Sequence, residues 1–518
     1  MRHELEVIRQ TGMAGYFLMV WDIVHYAKER GIQVRGRGSA ANSIVAYLLG
    51  ITNVDPLAHR LLFERFLSAE AKVMPDIDLD FCSRRREEVI QYVYQRYGER
   101  HVAMVCNYIC YCARSAVRDV GKALGLPADA IDKVARSQSK WSADKWEAES
   151  LGLPAKTWER FLHLCAAIQG FPRHLGIHVG GMVITRSPLD EVVPLERATM
   201  PNRVVIQWDK DNTEDAGLIK LDLLCLRTLS AIDECLKTIK ELHGEAIDLD
   251  SLPLDDPLVY DQLQRGDTVG AFQVESRAQQ QALVKVLPRN FADIAVEVAL
   301  IRPGPLQGGM VHPYIRRRQG LEPVRYDHPL LEGVLDETLG VVVFQEQVMK
   351  VAMAMGRFSS GEADMLRRAM SRHRSEEEMA RFRERFVAGA AAQGISPAVA
   401  DDVFTKLAGF ASYGFCKSHA VAFAKTAYDT LWLRARYPAE YYCSLLNNQP
   451  MGYYSPRVLI GDARRHGVCV LGVHVDRSAS PCTMPNTPYA LRRSGPSGMA
   501  VLMSEKFAGI AGPDGGTP

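Results

Sequence analysis

The chain lacks any run of 18 uncharged apolar residues, which excludes a helical membrane span of ordinary length. It also lacks an excess of one charge: 62 Lys and Arg stand against 61 Asp and Glu, a net of +1. Net charge therefore does not announce a nucleic-acid partner, although a basic groove balanced by acids elsewhere is compatible with it. Residues 1–6 carry charge where a secretory leader needs an apolar stretch, so no leader is expected. The eleven cysteines are scattered and odd in number, the pattern of reduced thiols in a cytoplasm. Only Cys106, Cys110 and Cys112 cluster; they lack paired CxxC spacing, and no zinc site is expected there. No internal repeat is visible, and 47% hydrophobic with 24% charged residues excludes wholesale disorder. At about 150 residues per domain, 518 residues correspond to roughly three domains.

Apolar spacing predicts helix over 4–29, broken around Gly12–Gly15, then a Gly-rich turn at Arg35-Gly36-Arg37-Gly38-Ser39 and a small-residue helix over 40–49. Residues 73–81 alternate as a strand, with Val73, Pro75, Ile77, Leu79 and Phe81 on one face and Asp76, Asp78 and Asp80 on the other. From about 106 to 172 the pattern is helical, followed by a second β-rich patch at 180–185, 204–208 and 218–225. Beyond Arg227 helices dominate, including 345–355, 361–370, 376–391 and 418–436. From about Arg477, Ser, Pro, Thr and Gly take over and periodicity is lost, the composition of a poorly ordered tail.

The acids carry the chemistry. Residues i and i+2 of a strand share a face, so Asp76 and Asp78 point into one space. Like charges so placed repel, and divalent cations between them relieve the repulsion; two such ions bridged by carboxylates are the usual arrangement for displacement at phosphorus. A further acid from a second strand is needed. Asp222 supplies it, with Lys220 beside it, on a segment where Ile219, Leu221 and Leu223 point the other way. Gly36-Arg37-Gly38-Ser39 opening a helix has the form of an anion cradle, its free N–H groups available to phosphate oxygens.

The helical half adds cations. Between Arg367 and Arg385 there are seven Arg against four Glu, and Arg makes forked, permanently charged contacts to phosphate. Taken alone, such a run is most simply a solvated helix face. Lys417 and His419 flank Ser418 at the start of a helix, where Ser418 is expected to cap and an anion is favoured. Arg302 is held in a rigid Ile-Arg-Pro-Gly-Pro turn. His178 lies in His174-x-Gly176-x-His178-x-Gly180-Gly181, where glycines argue against a helical metal pair and favour contact with phosphate or primer.

Six motifs resemble the bacterial C-family DNA polymerases, the family of the DNA polymerase III alpha subunit. They are Asp76-Ile77-Asp78-Leu79-Asp80-Phe81, Gly36-Arg37-Gly38-Ser39-Ala40-Ala41, Lys220-Leu221-Asp222, Phe344-Gln345-Glu346-Gln347-Val348-Met349, Ala363-Asp364-Met365-Leu366-Arg367-Arg368-Ala369-Met370 and Gly414-Phe415-Cys416-Lys417-Ser418-His419. The resemblance covers roughly residues 1–475. Asn42, where replicative members usually carry glycine, and Leu446-Asn447-Asn448-Gln449-Pro450-Met451-Gly452-Tyr453-Tyr454 resemble the error-prone, damage-tolerance branch.

The resemblance implies an α+β fold: a nucleotidyltransferase-type (polymerase-beta-like) mixed-sheet palm at 1–105 and 178–227, interrupted by a helical thumb at 106–177. Mainly helical fingers at 228–475 and an unmatched tail at 476–518 would follow. It implies catalysis by Asp76, Asp78, Asp222 and Lys220, with two Mg²⁺ ions on the three aspartates and Asp80 structural. Gly38, Ser39, Arg302, Arg367, Arg368, Lys417 and His419 would bind the deoxynucleoside triphosphate. His178, Arg372 and Arg374 would contact primer–template DNA. Family members also carry an N-terminal phosphoesterase-like domain and C-terminal helix-hairpin-helix and oligonucleotide-binding modules. The chain is therefore expected to be truncated at both ends, with contacts to mutagenesis or replisome proteins residing in the missing parts. The expected function is error-prone, template-directed DNA synthesis in the cytoplasm, with no membrane. The competing expectations are a catalytically silent DNA-binding remnant and a nucleotide-binding regulator that uses only the Gly36–Ser39 cradle.

Overall fold

A computed structural model of the chain describes residues 1–68, 75–137, 154–302, 311–371, 376–411, 414–473, 478, 481–484 and 500–502. It divides into two compact units: Met1–Tyr92 with the chain from Asp222 onward, and Val93–Leu221 between them. Seven strands matter here: β1 (Val34–Arg37), β2 (Asp78–Cys82), β3 (Val102–Cys110), β4 (Pro172–Ile184), β5 (Leu195–Arg197), β6 (Val204–Ile206) and β7 (Lys220–Leu226). No helix among the described residues is long and apolar enough to cross a membrane.

In the first unit β2 is central, antiparallel to β1 and parallel to β7. Such a strand is buried on both faces, so Leu79, Phe81 and Cys82 are all inaccessible. The expected helix over 40–49 is instead a 3-10 turn, Gly38–Asn42, and a short helix, Ile44–Leu48, separated by Ser43 in extended conformation. The break has a cause. Buried Glu4 accepts hydrogen bonds from Ser43 Oγ (2.8 Å) and from the Ile44 and Val45 N–H groups (3.1 and 3.2 Å), capping the short helix from outside.

From Arg227 the first unit is predominantly helical, so the α+β expectation holds: mixed strands, then helices. Its axis is the helix Lys417–Arg436, whose Ala420, Val421, Ala424, Ala427, Tyr428 and Leu431 pack with the Phe291–Leu300 helix in one apolar core. Buried charges on that helix are paired. Asp429 accepts from Lys425 Nζ (2.6 Å) and from Arg35 of β1 (2.6 Å), and Arg35 also donates to Thr426 Oγ1 (3.0 Å). The β1 strand is thereby fastened to the long helix. The tail expectation needs correction at two places. Ala500–Leu502 pairs in parallel with Cys469–Leu471, and Cys482 exchanges backbone hydrogen bonds with the Asn447 side chain (2.7 and 3.0 Å). The remainder of 476–518, apart from the residues named above, lies outside the described residues.

The second unit has its own mixed strands: β3 is antiparallel to β4 and parallel to β6, and β5 is antiparallel to β6. Helices Ala113–Ala123, Ala128–Ser137 and Ala155–Ile168 share a core of Val117, Ile131, Val134, Trp158 and Phe161. The helical reading of 106–172 fails at its start, because β3 continues to Cys110. The segment Val102-Ala-Met-Val-Cys-Asn-Tyr-Ile-Cys is rich in β-branched and aromatic residues, and its pairing with β4 overrides the short helical period.

Candidate active site

Strand pairing builds the site. In the parallel β2–β7 ladder Asp78 is registered opposite Asp222, and Asp76 lies two residues earlier, just before β2 begins. Carboxylate oxygens of Asp76, Asp78 and Asp222 all lie within 4.8 Å of one another. Burial grades across them: Asp76 is exposed, Asp78 half-buried and Asp222 buried. Three ionised carboxylates this close repel by roughly 3 kcal/mol per pair at an effective dielectric near 20. Hard oxygen donors converging from two strands fit Mg²⁺, which prefers a few carboxylates and retains open positions for water and phosphate.

The cradle closes on the same acids. Gly38 has φ +74, the left-handed region, and a Cβ placed there would stand 3.1 Å from Asp78 Oδ2. A side chain there would be strained by the backbone conformation and would crowd the Asp78 carboxylate. Ser39 Oγ donates to the Asp76 carbonyl (3.4 Å). Gly36 serves packing rather than the cradle, since a Cβ there would meet the Ile51 carbonyl at 2.3 Å. Arg37 between them pairs with Asp80 (2.8 Å) and reaches Asp78 (3.4 Å). Burial raises the Asp80 pKa, opposed by the Arg37 charge and hydrogen bond. That pairing agrees with a structural part for Asp80.

Sequence reasoning missed two features behind the cradle. Tyr16 buries its phenol near the acids, and burial, with the charges of Asp76, Asp78 and Asp222, pushes its pKa up. Its helical spacing marked it only as core. Ser418, expected to cap its helix, instead donates to the Gly38 carbonyl (2.8 Å) and accepts from Asn42 Nδ2 (2.8 Å), while Asn42 also donates to the Ser39 carbonyl (3.0 Å). The N–H of Lys417 goes to Glu346 (2.7 Å), so the cap comes from a neighbouring helix.

Lys417 and His419 part company. Residues two apart on a helix point about 200° apart. Lys417 Nζ pairs with Glu337 (2.7 Å), whereas the His419 ring lies between Phe415 (5.1 Å) and Phe423 (4.1 Å). Burial, with Arg37 and Arg302 nearby, lowers the His419 pKa to about 3. His419 is therefore neutral at physiological pH and offers hydrogen bonding, not charge. Arg302 stacks its guanidinium 4.1 Å over Phe415 and donates to the Ala299 carbonyl (2.8 Å); burial lowers its pKa to about 10, so it stays cationic.

Arg367 and Arg368 both grip Asp364 (2.8 and 2.5 Å), and Arg367 shares Gln345 with Arg65. Lys220 is half-buried on β7, two residues before Asp222. His178 belongs to the second unit. There the β3–β4 register jumps from Met104↔Met182 to Cys106↔Ile177, and the His178 Nδ1 accepts the Gly181 N–H (2.6 Å) inside that bulge. The neighbouring glycines mark the bulge. Arg372 and Arg374 lie outside the described residues.

A second acid group, Asp267, Asp462 and His466, also gathers within 4.8 Å. Its charges are met by the buried Arg434 (3.6 and 3.8 Å) and by Arg465 (2.5 Å), an ion-pair network rather than a metal cage.

Comparison with known proteins places these features in a family. Residues 1–225 match the model of the "Bacterial DNA polymerase III alpha NTPase domain", and residues 228–394 that of the "Bacterial DNA polymerase III alpha subunit finger domain". Among curated relatives, an error-prone DNA polymerase of Anaeromyxobacter sp. (strain K) is 49% identical over 517 residues, covering 96% of this chain and 45% of that protein. One from Nocardia farcinica is 50% identical over 491 residues, covering 94% and 42%. One from Pseudomonas fluorescens is 46% identical over 506 residues, covering 96% and 49%. The chain thus spans about 45% of the length of the first of these relatives.

Proposed function

The chain belongs to the bacterial DNA polymerase III alpha family, and from that premise we propose that it carries the catalytic palm and the fingers of an error-prone DNA polymerase. The reaction is addition of a deoxynucleotide to a primer 3′ end, directed by a template. The observation that carries this reading is the convergence of Asp76, Asp78 and Asp222 within 4.8 Å, at the start of β2 and on its partner β7, beside a glycine whose left-handed backbone and close approach to Asp78 disfavour any side chain. We assign the palm to 1–105 and 178–227, the thumb to 106–177 and the fingers to 228–475, with the palm of the nucleotidyltransferase type. The setting is the bacterial cytoplasm, and the partners are primer–template DNA and deoxynucleoside triphosphates.

Asp76, Asp78 and Asp222 would hold two Mg²⁺ ions, which when bound lower the pKa of the primer hydroxyl and neutralise charge on the leaving pyrophosphate. The chain's own groups do the remaining work. Backbone N–H groups at Gly38 and Ser39 receive the triphosphate, and the absent Cβ at Gly38 lets phosphate oxygens approach the acids. Arg302 supplies permanent charge from the fingers. Neutral His419 contributes a hydrogen bond, oriented by its two phenylalanine neighbours. Lys220 projects near the reacting phosphates from β7. Arg367, Arg368 and Lys417 reach nucleotide only by exchanging Asp364 and Glu337 for phosphate. His178, Arg372 and Arg374 contact primer–template through its backbone, an interaction that weakens as salt rises.

Primer extension with Mg²⁺ tests the reading. The chain is expected to extend a matched primer, and Asp78→Asn to lower the rate by at least about a thousandfold, the scale of an essential charge-stabilising group. Folded protein that binds primer–template without extending it would support the silent remnant instead.

A further inference from the structure

A cavity of about 300 Å³ opens where β7 runs into the helix Arg227–His243. Its walls are apolar, built by Phe272, Leu445, Met451 and Tyr454; the carboxyl of Glu275 and the exposed Arg227 also line it. Tyr453, 81% exposed, stands at the rim. The cavity is at the lower end of the volume range of small-molecule sites, the size class of a single nucleoside.

Two details show how the site is assembled. Glu275 accepts the Gly270 N–H (3.1 Å), and burial pushes its pKa up to about 7. Gly452, at φ +66, lets the 449–454 loop fold against that carboxyl: a Cβ there would fall 2.7 Å from Glu275 Oε1. A relay of side-chain contacts links one wall of the cavity to the acid site. Phe272 meets Phe423 edge to face (5.0 Å), Phe423 lies under the Arg37 guanidinium (5.9 Å), and Arg37 reaches Asp78 (3.4 Å).

We propose that this cavity receives one unpaired nucleobase of the template strand, turned out of the stack ahead of the primer end. The inference rests on the polymerase reading above. A nucleobase has two apolar faces, an edge of N–H donors and an anionic phosphate on its sugar. The cavity offers apolar and aromatic walls, a carboxyl acceptor and a guanidinium, which is the complementary set. Phe272, Met451 and Tyr454 enclose the base, Glu275 accepts from its edge, Arg227 meets the flanking phosphate, and Tyr453 stacks on the adjoining base. An apolar peptide segment could meet the carboxyl and the guanidinium with its backbone N–H and C=O groups, but it brings no anionic phosphate to Arg227 and no flat ring to stack on Tyr453.

The experiment uses the whole chain and a dideoxy-terminated primer on a template with a single-stranded 5′ overhang. One abasic residue is moved stepwise along the overhang while affinity is read by fluorescence anisotropy. At one overhang position, removing the base is expected to weaken binding about tenfold, the scale of one base stacked on aromatic side chains. Tyr453→Ala and Met451→Trp, the second filling the cavity, are expected to reduce that difference to about twofold, with circular dichroism reporting an intact fold. A wild-type chain indifferent to the abasic residue at every position overturns the inference alone. So does a full tenfold difference retained by both variants. A chain that binds no primer–template at all overturns the polymerase reading together with it.

Discussion

Removing the Asp429 carboxylate probes how the cradle is held. Asp429 is fully buried between Lys425 and Arg35, each at 2.6 Å. Arg35 belongs to β1, the strand that delivers Arg37 and Gly38 to the acids. Asp429→Leu leaves two cations in a site with little access to water, and breaking a buried pair in this way costs about 3–5 kcal/mol. Against a total stability of about 5–15 kcal/mol, that is a large fraction. Urea unfolding followed by circular dichroism reads the loss as a lower midpoint at unchanged slope. Replacing the three groups together, Arg35→Met, Lys425→Met and Asp429→Leu, is expected to recover most of it, because no uncompensated charge remains. A single substitution that costs less than about 1 kcal/mol would refute the reasoning, since that is the worth of an exposed pair.

Gly38→Ala places an L side chain in the left-handed region, at roughly 1–2 kcal/mol, with its Cβ 3.1 Å from Asp78 Oδ2. Primer extension is expected to fall about a hundredfold, as for a misplacement near 1 Å, with only a modest drop in melting temperature; unchanged extension would contradict the cradle. Glu297 is fully buried and its pKa is raised by burial to about 8 from 4.5. Between those values the native state holds a proton that the unfolded chain releases, so stability falls as pH rises, by up to about 1.4 kcal/mol per pH unit. Glu297→Gln is expected to flatten that decline in unfolding titrations from pH 5 to 8, whereas parallel curves for the two proteins would count against it. His419→Ala is expected to raise the KM for nucleotide several-fold without introducing or removing an inflection between pH 5 and 8, because the ring is already neutral there; an inflection that vanishes with the histidine would show it titrating in that range.

The acid site was legible because its signals are local. Alternation put Asp76 and Asp78 on one face, and an apolar alternation placed Asp222 and Lys220 together on β7. What alternation does not contain is the register: Asp78 opposite Asp222 depends on pairing across a long stretch of chain. The same limit explains the misreadings. Ser418 looked like a cap because Glu346, which takes the Lys417 N–H, is remote in sequence. Gly36 looked like part of the cradle because the Ile51 carbonyl it accommodates comes from a later turn. Lys417 and His419 looked alike as neighbours at a helix start, and only the packing on either side of that helix separates a salt bridge to Glu337 from a neutral ring between phenylalanines. Residues 106–110 looked helical until β4 supplied a partner.

Divalent-ion binding at the acid triad is the most direct measurement. Mn²⁺, which can be followed by electron paramagnetic resonance, is titrated into the chain with a dideoxy-terminated primer–template and the matching nucleotide. Two ions are expected to bind the wild type, and Asp78→Asn and Asp222→Asn are each expected to weaken that binding at least about tenfold. If both variants bind Mn²⁺ with the affinity and stoichiometry of the wild type, the three aspartates do not form the catalytic metal site.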